Sequence, residues 1–262
     1  MTKTISRANA RSVSDERAAE QALDRAVAAT TDIARAVQET LAALREMSTK
    51  QTREGLARFA IPSENALGVT VADIRIVAKQ LGRNHEVAKA LWHTGVYEAR
   101  MLTAFVAEPV RVTRAEMDRW CRDLDSWALC DTLCFHLFDR TPHAFAKIAQ
   151  WSENRAEFEK RAAFALLAGL ATHDRTTADE PFLATLPLIE RAANDERNFV
   201  KKGVSWALRR IGRRNRALNV AAVEVAERLA ASANATARWI GKDALRDITR
   251  SNAMRSGAIG KV

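Results

Sequence analysis

A short pattern recurs along this chain: an aromatic residue, any two residues, a basic residue, then an apolar helical run. It occurs as Tyr97–Arg100, Phe158–Arg161, Phe199–Lys202 and Trp239–Lys242. Trp127–Cys130 sits where a further copy is due, with Asp131 immediately after it, and successive starts lie 30, 31, 41 and 40 residues apart. A unit of that length cannot bury its apolar face alone, so neighbouring copies must stack on one another. Short polar breaks punctuate the helical runs: Gly82–Asn84, Glu108-Pro109, Thr141-Pro142, His173–Asp179 and Asn194–Arg197. No segment alternates at period two, and 10 Gly and 5 Pro in 262 residues leave little turn chemistry for a sheet. The chain is expected to be all-α.

The repeat length is that of HEAT-like helix pairs, and the expected architecture is a right-handed solenoid of such pairs with a basic concave face. Residues 1–48 are expected to form an N-terminal arm or partly disordered extension. The repeat domain then covers 49–250, and 251–262 form a tail. Within the arm, 1–12 read as a disordered tail, and Ser14–Met47 is Ala-rich and reads as one or two exposed, loosely attached helices. Arg53–Phe59 reads as a short helix broken by Ile61-Pro62, Asn65–Gly68 as a turn, and Thr70 as the cap of a helix Val71–Leu81.

The stretch Asp125–Phe138 carries the chemistry. Its inward stripe is Leu129, Cys130, Leu133, Cys134 and Leu137, at helical spacing. Trp127 and Asp131, four apart, share a face off that stripe. In isolation the pair reads as a rim tryptophan beside a solvated carboxylate. Cys130 and Cys134 with His136 invite a zinc reading, but the cysteines lie on the buried stripe and no second ligand pair follows at finger spacing, so packing is preferred and no metal is expected. Three cysteines, an odd number with no pairing framework, suit a reducing compartment.

The charge points to a partner. Lys+Arg number 41 against 32 Asp+Glu, a formal net charge of +9, which suits a polyanion. Seven cations fall within sixteen residues: Lys201, Lys202, Arg209, Arg210, Arg213, Arg214 and Arg216. In that run Phe199, Val200, Gly203, Val204, Ala207, Leu208 and Ile211 make the inward stripe, leaving Lys202, Trp206, Arg209 and Arg213 on the other face. Arg161 shares its face with Ala165 and Ala168, small residues expected to let a ligand approach the backbone. Stacking would align Arg100, Arg161, Lys202 and Lys242 along one wall fit for a nucleic-acid backbone. No apolar run approaches the ~20 residues of a membrane span.

With these residues assembled, the sequence resembles the AlkD-type HEAT-repeat alkylpurine DNA glycosylases, the DNA alkylation repair proteins. The resemblance runs from about Thr49 to Thr249 through LGVTVADIR, LWHTGVYEARML, SWALCDTL, KRAAFALLA and FVKKGVSWALRRIGRRN. It implies Asp131 as the catalytic carboxylate, Trp127 and Trp206 as flanking cleft aromatics, and Arg161 as a phosphate-binding arginine. Arg100, Lys201, Lys202, Arg209, Arg210, Arg213, Arg214 and Lys242 are the expected further DNA contacts. The implied activity is hydrolysis of the N-glycosidic bond of N3- or N7-alkylated purines in double-stranded DNA. No cofactor is expected, and the protein is expected to act as a cytoplasmic bacterial monomer. The family is thought to grip the backbone and leave the lesion stacked. Two rivals remain: a non-catalytic HEAT-repeat protein binding bent, branched or damaged DNA, and a protein-interaction scaffold.

Overall fold

The computed structural model describes the backbone of residues 2–259 and the side chains of 21, 22 and 25–249. Neither Gly nor Pro occurs before Gly55, so nothing interrupts a first long helix, α1 (Thr2–Glu46). There follow α2 (Lys50–Gly55), α3 (Val71–Leu81), α4 (His85–His93), α5 (Tyr97–Val106), α6 (Arg114–Arg122) and α7 (Trp127–His136). The second half comprises α8 (Ala144–Ser152), α9 (Glu157–His173), α10 (Asp179–Leu183), α11 (Leu186–Ala192), α12 (Asn198–Gly212), α13 (Arg216–Ala230) and α14 (Ala235–Ile259). No strand occurs among the described residues. Side-chain caps set many of the starts: Thr70 accepts from Asp73 N, Asn84 from Val87 N, Ser126 from Leu129 N and Asn215 from Leu218 N, while Thr113 and Glu116 form a capping box.

The helices form two rows. In one, α3, α5, α7, α9, α12 and α14 each pack on the next. Behind it, α4 backs α5, α6 and α8 back α9, α11 backs α12, and α13 backs both α12 and α14. The four copies of the sequence pattern and the Trp127 position all fall on the first row, on α5, α7, α9, α12 and α14. The period therefore marks one helix of each stacked pair, and the all-helical, HEAT-like expectation holds. α14 presses close against α13: a Cβ built on Gly241 would come within 2.3 Å of Ala230 N.

Three local expectations are corrected. The arm is not loosely attached along its length: Val37, Leu41 and Leu44 are at most 7% exposed, and α1 packs on α3 and α4. The backbone is already helical at Thr2, where a disordered tail was expected, because neither Gly nor Pro separates 1–12 from the Ala-rich helical stretch that follows. At the other end the backbone is helical to Ile259, and the side chains of the expected tail lie outside the described residues. Ala165 and Ala168 open no path to the backbone. From Arg161 to Ala171 every side chain of α9 is buried, because α7, α8 and α12 enclose it.

The inward stripe of α7 is as expected: Leu129, Cys130, Leu133, Cys134 and Leu137 are at most 1% exposed. The Cys134 thiol donates to Ala162 O at 3.5 Å and the Cys130 thiol to Phe158 O at 3.8 Å, tying α7 to α9. Ahead of α3, the loop through Gly68 is held by the fully buried Glu98 carboxylate, which accepts N–H from Leu67 (2.9 Å), Gly68 (2.7 Å) and Val69 (3.2 Å). Gly68 has φ 95°, and a Cβ there would meet Thr49 O at 2.4 Å.

Candidate active site

Four successive helices of the first row open onto one cleft of about 420 Å3. It is lined by Trp127 and Asp131 from α7, Arg161 from α9, Lys202, Trp206 and Arg209 from α12, and Trp239 and Asp243 from α14. A second hollow of about 440 Å3 adjoins it through Trp127, Arg161 and Lys202, and adds Arg58, Phe59, Ala60, Asn198 and Phe199. Arg161 and Lys202 thus share both hollows, as stacking requires. The chain has 6 tryptophans. Trp92, Trp120 and Trp151 are core residues at 1% exposure, and the other three line the cleft.

The face of α7 that leaves the core carries Trp127, Asp131 and Phe135, each four residues on. The indole N–H of Trp127 donates to Phe59 O at 2.8 Å, so the segment before α3 fixes that ring. Trp206 stacks on Phe135 at 4.7 Å with 7° between the planes. Asp131 lies between these two braced aromatics in sequence and lines the same cleft.

Asp131 and Arg161 form a two-pronged ion pair: Nε to Oδ1 at 2.9 Å and Nη2 to Oδ2 at 2.7 Å. Nη1 of Arg161 donates to Phe199 O at 2.7 Å. Burial raises the Asp131 pKa above the ordinary carboxylate value, against the opposing charge and hydrogen bonds of Arg161. Desolvation likewise opposes the Arg161 charge, but Asp131 outweighs it and raises the guanidinium pKa. Both oxygens accept N–H from a permanently charged partner, which is the geometry of an ionised carboxylate.

Arg161 therefore does not stand free to clamp a phosphate. It is 6% exposed, and three of its N–H groups are committed to Asp131 and Phe199. What it does here is aim the carboxylate.

The other expected DNA contacts divide. Lys202 is exposed and lines both hollows. Lys201 lies 5.5 Å from the centre of the Trp239 ring. Arg209 lines the cleft but is held by Ser205 O at 3.4 Å and Asp243 at 3.6 Å. Arg210 is half-buried, with its pKa lowered by burial and by Arg213 and Arg209. Arg213 pairs with Asp247, tying α12 to α14. Arg214 donates to the carbonyls of Asp174 and Thr177, the latter at 2.7 Å, and lies 4.3 Å over the Phe182 ring.

Arg100 does not join the cleft. It packs 5.2 Å over Trp92, donates to Asp123 O at 3.3 Å, and lines a separate small hollow with Tyr97 and Asp125. Lys242 is exposed on α14 but lines neither hollow. The single basic wall of Arg100, Arg161, Lys202 and Lys242 is thus reduced to its middle. Seven lining residues were not anticipated as site residues: Arg58, Phe59, Ala60, Asn198, Phe199, Trp239 and Asp243. The last two repeat the Trp-x-x-x-Asp spacing of Trp127 and Asp131, a signal already present in the sequence.

A family model described as DNA alkylation repair enzyme matches residues 40–248, beginning inside α1. The fold is similar to a solved structure from a new family of proteins related to the HEAT-like repeat DNA glycosylases, with affinity for branched DNA structures. That likeness has a TM-score of 0.65 at 19% identity, over 72% of this chain and 81% of the other. At that identity the likeness speaks for the fold alone. Comparison with curated proteins gives no match.

Proposed function

The chain belongs to the DNA alkylation repair enzyme family, and on that premise we propose that it hydrolyses the N-glycosidic bond of cationic N3- or N7-alkylated purines in double-stranded DNA, leaving an abasic site. The observation that carries the reading is the Asp131 carboxylate, aimed by Arg161 and lining one cleft with Trp127 and Trp206. Alkylation at N3 or N7 leaves the purine positively charged, so the departing base needs no strong acid. As the C1′–N bond breaks, its electron pair neutralises the purine and the positive charge passes to C1′ and O4′ of the sugar. Asp131 stabilises that charge and orients the water that attacks C1′ and then loses a proton. The two indoles favour the cationic nucleotide through their π faces. Lys202 and Arg58, exposed at the adjoining hollow, take the backbone phosphates in place of Arg161.

A second reading, DNA binding without chemistry, draws on the same ion pair: a carboxylate neutralised by a guanidinium offers less charge to an oxocarbenium ion. Incubating the purified protein with methylated duplex DNA separates the two. Release of 3-methyladenine or 7-methylguanine supports the glycosylase. Tight binding without base release supports the binder.

A further inference from the structure

Resting on the DNA-binding part of that reading, we propose that the α14 side of the cleft is a second nucleotide subsite. There Trp239 stacks on an unstacked base of the bound DNA while Lys201 and Lys202 hold its phosphates. Trp239 is 42% exposed and lines the cleft opposite the α7 residues in the helix order. A large aromatic left that open in a cleft otherwise lined largely by charged side chains is not there to complete the core. The other two tryptophans of the cleft are restrained: Trp127 is tied to Phe59 O, and Trp206 rests on Phe135. Trp239 has neither restraint, only the Lys201 ammonium 5.5 Å from its ring centre.

The set matches a nucleotide in chemistry. An indole face accepts any base, because every base presents a π surface, and cations beside it accept the phosphate. Asp243 is not a competing anion at this subsite. Its carboxylate takes the Ser205 hydroxyl at 2.7 Å and faces Arg209 and Arg246, so it anchors α14 to α12 one turn from Trp239. The subsite is distinct from Asp131, which lies on α7, three helices along the row. The base held by Trp239 is therefore not the one whose sugar meets the carboxylate.

The test compares two undamaged fluorescein-labelled duplexes, one fully paired and one with a single unpaired adenine, by anisotropy titration. Wild-type protein is expected to bind the second more tightly. Trp239→Leu, which keeps an apolar side chain and lacks the π face, should lose about tenfold on the unpaired-base duplex and little on the paired one. Trp239→Phe should retain most of the preference, which also shows that the position tolerates substitution. Equal binding of both duplexes by wild type overturns the subsite, as does a Trp239→Leu protein that keeps the preference. Neither result depends on base release, so a protein that excises nothing can still pass this test, and an active glycosylase can fail it.

Discussion

Trp127–Asp131 on α7 and Trp239–Asp243 on α14 are the same spacing on two helices of the same row, facing one cleft, yet they have different surroundings. Among the described residues Asp131 has a single ionic partner, Arg161, which reaches it from α9 with two parallel hydrogen bonds and is itself almost sealed from solvent. Asp243 is shared among Ser205, Arg209 and the exposed Arg246, a seam between α12 and α14. The tryptophans differ for a related reason. Trp127 is followed by three more row helices and capped by the segment carrying Phe59, whereas nothing packs beyond Trp239 on α14 among the described residues. A spacing thus specifies a face. The helix stacked next to it decides whether the carboxylate is aimed at a ligand or used as a clasp.

The comparison breaks first at the carboxylates. Asp131→Asn should slow single-turnover excision of 7-methylguanine a hundredfold to a thousandfold, about 2.7–4 kcal/mol of transition-state stabilisation. Asp243→Asn should slow it less than about threefold, since its partners can still bond an amide. Equal losses would erase the distinction. Asp131→Asn also deprives Arg161 of its counter-ion, so its fold must be checked by circular dichroism alongside.

Removing the other half of the pair tests stability. Arg161→Ala strands a mostly buried carboxylate and should cost about 3 kcal/mol in urea unfolding. That is the low end for a broken buried pair, because Asp131 retains a side-chain exposure of 20%. A cost below about 1 kcal/mol would mean that the pair is solvated. Arg214→Ala should lower stability by about 2 kcal/mol, since it releases the carbonyls of Asp174 and Thr177, while leaving DNA affinity and its salt dependence unchanged. Lys202→Ala should do the reverse, flattening the slope of log affinity against log salt by about 0.9 with no loss of stability.

The smallest expected effect is in pH. On the proposed mechanism the ionised form of Asp131 is the working form, so excision should fall as pH drops through its pKa. Because burial raises that pKa, the fall should begin above the ordinary carboxylate range. Arg161 opposes the rise, so in any Arg161→Ala protein that folds the acid limb should move to higher pH. A limb that moves to lower pH would contradict the assignment.

Much of the fold was legible because helix starts and stops are local chemistry. Thr70, Ser126 and Asn84 cap their own helices, and Gly82 and Pro142 end or separate them within a few residues. The aromatic-x-x-basic period marked the first row because every copy falls on a helix of that row. What that period could not convey is which basic residues remain available. Arg161 finds Asp131 thirty positions earlier and Arg214 finds Asp174 forty earlier, pairings that only tertiary packing creates. Ala165 and Ala168 misled because α9 is apolar nearly all round, so periodicity has no solvent face to report.

The three cysteines, read as packing residues, have a chemical consequence for a protein of this family. Electrophiles that alkylate purine nitrogens also alkylate thiolates. Cys121, Cys130 and Cys134 are at most 1% exposed, and burial pushes the Cys121 and Cys134 thiols well above their ordinary pKa, keeping them protonated. The sulfur that helps bind α7 to α9 is therefore shielded from such electrophiles, on the pair of helices that carries Asp131 and Arg161.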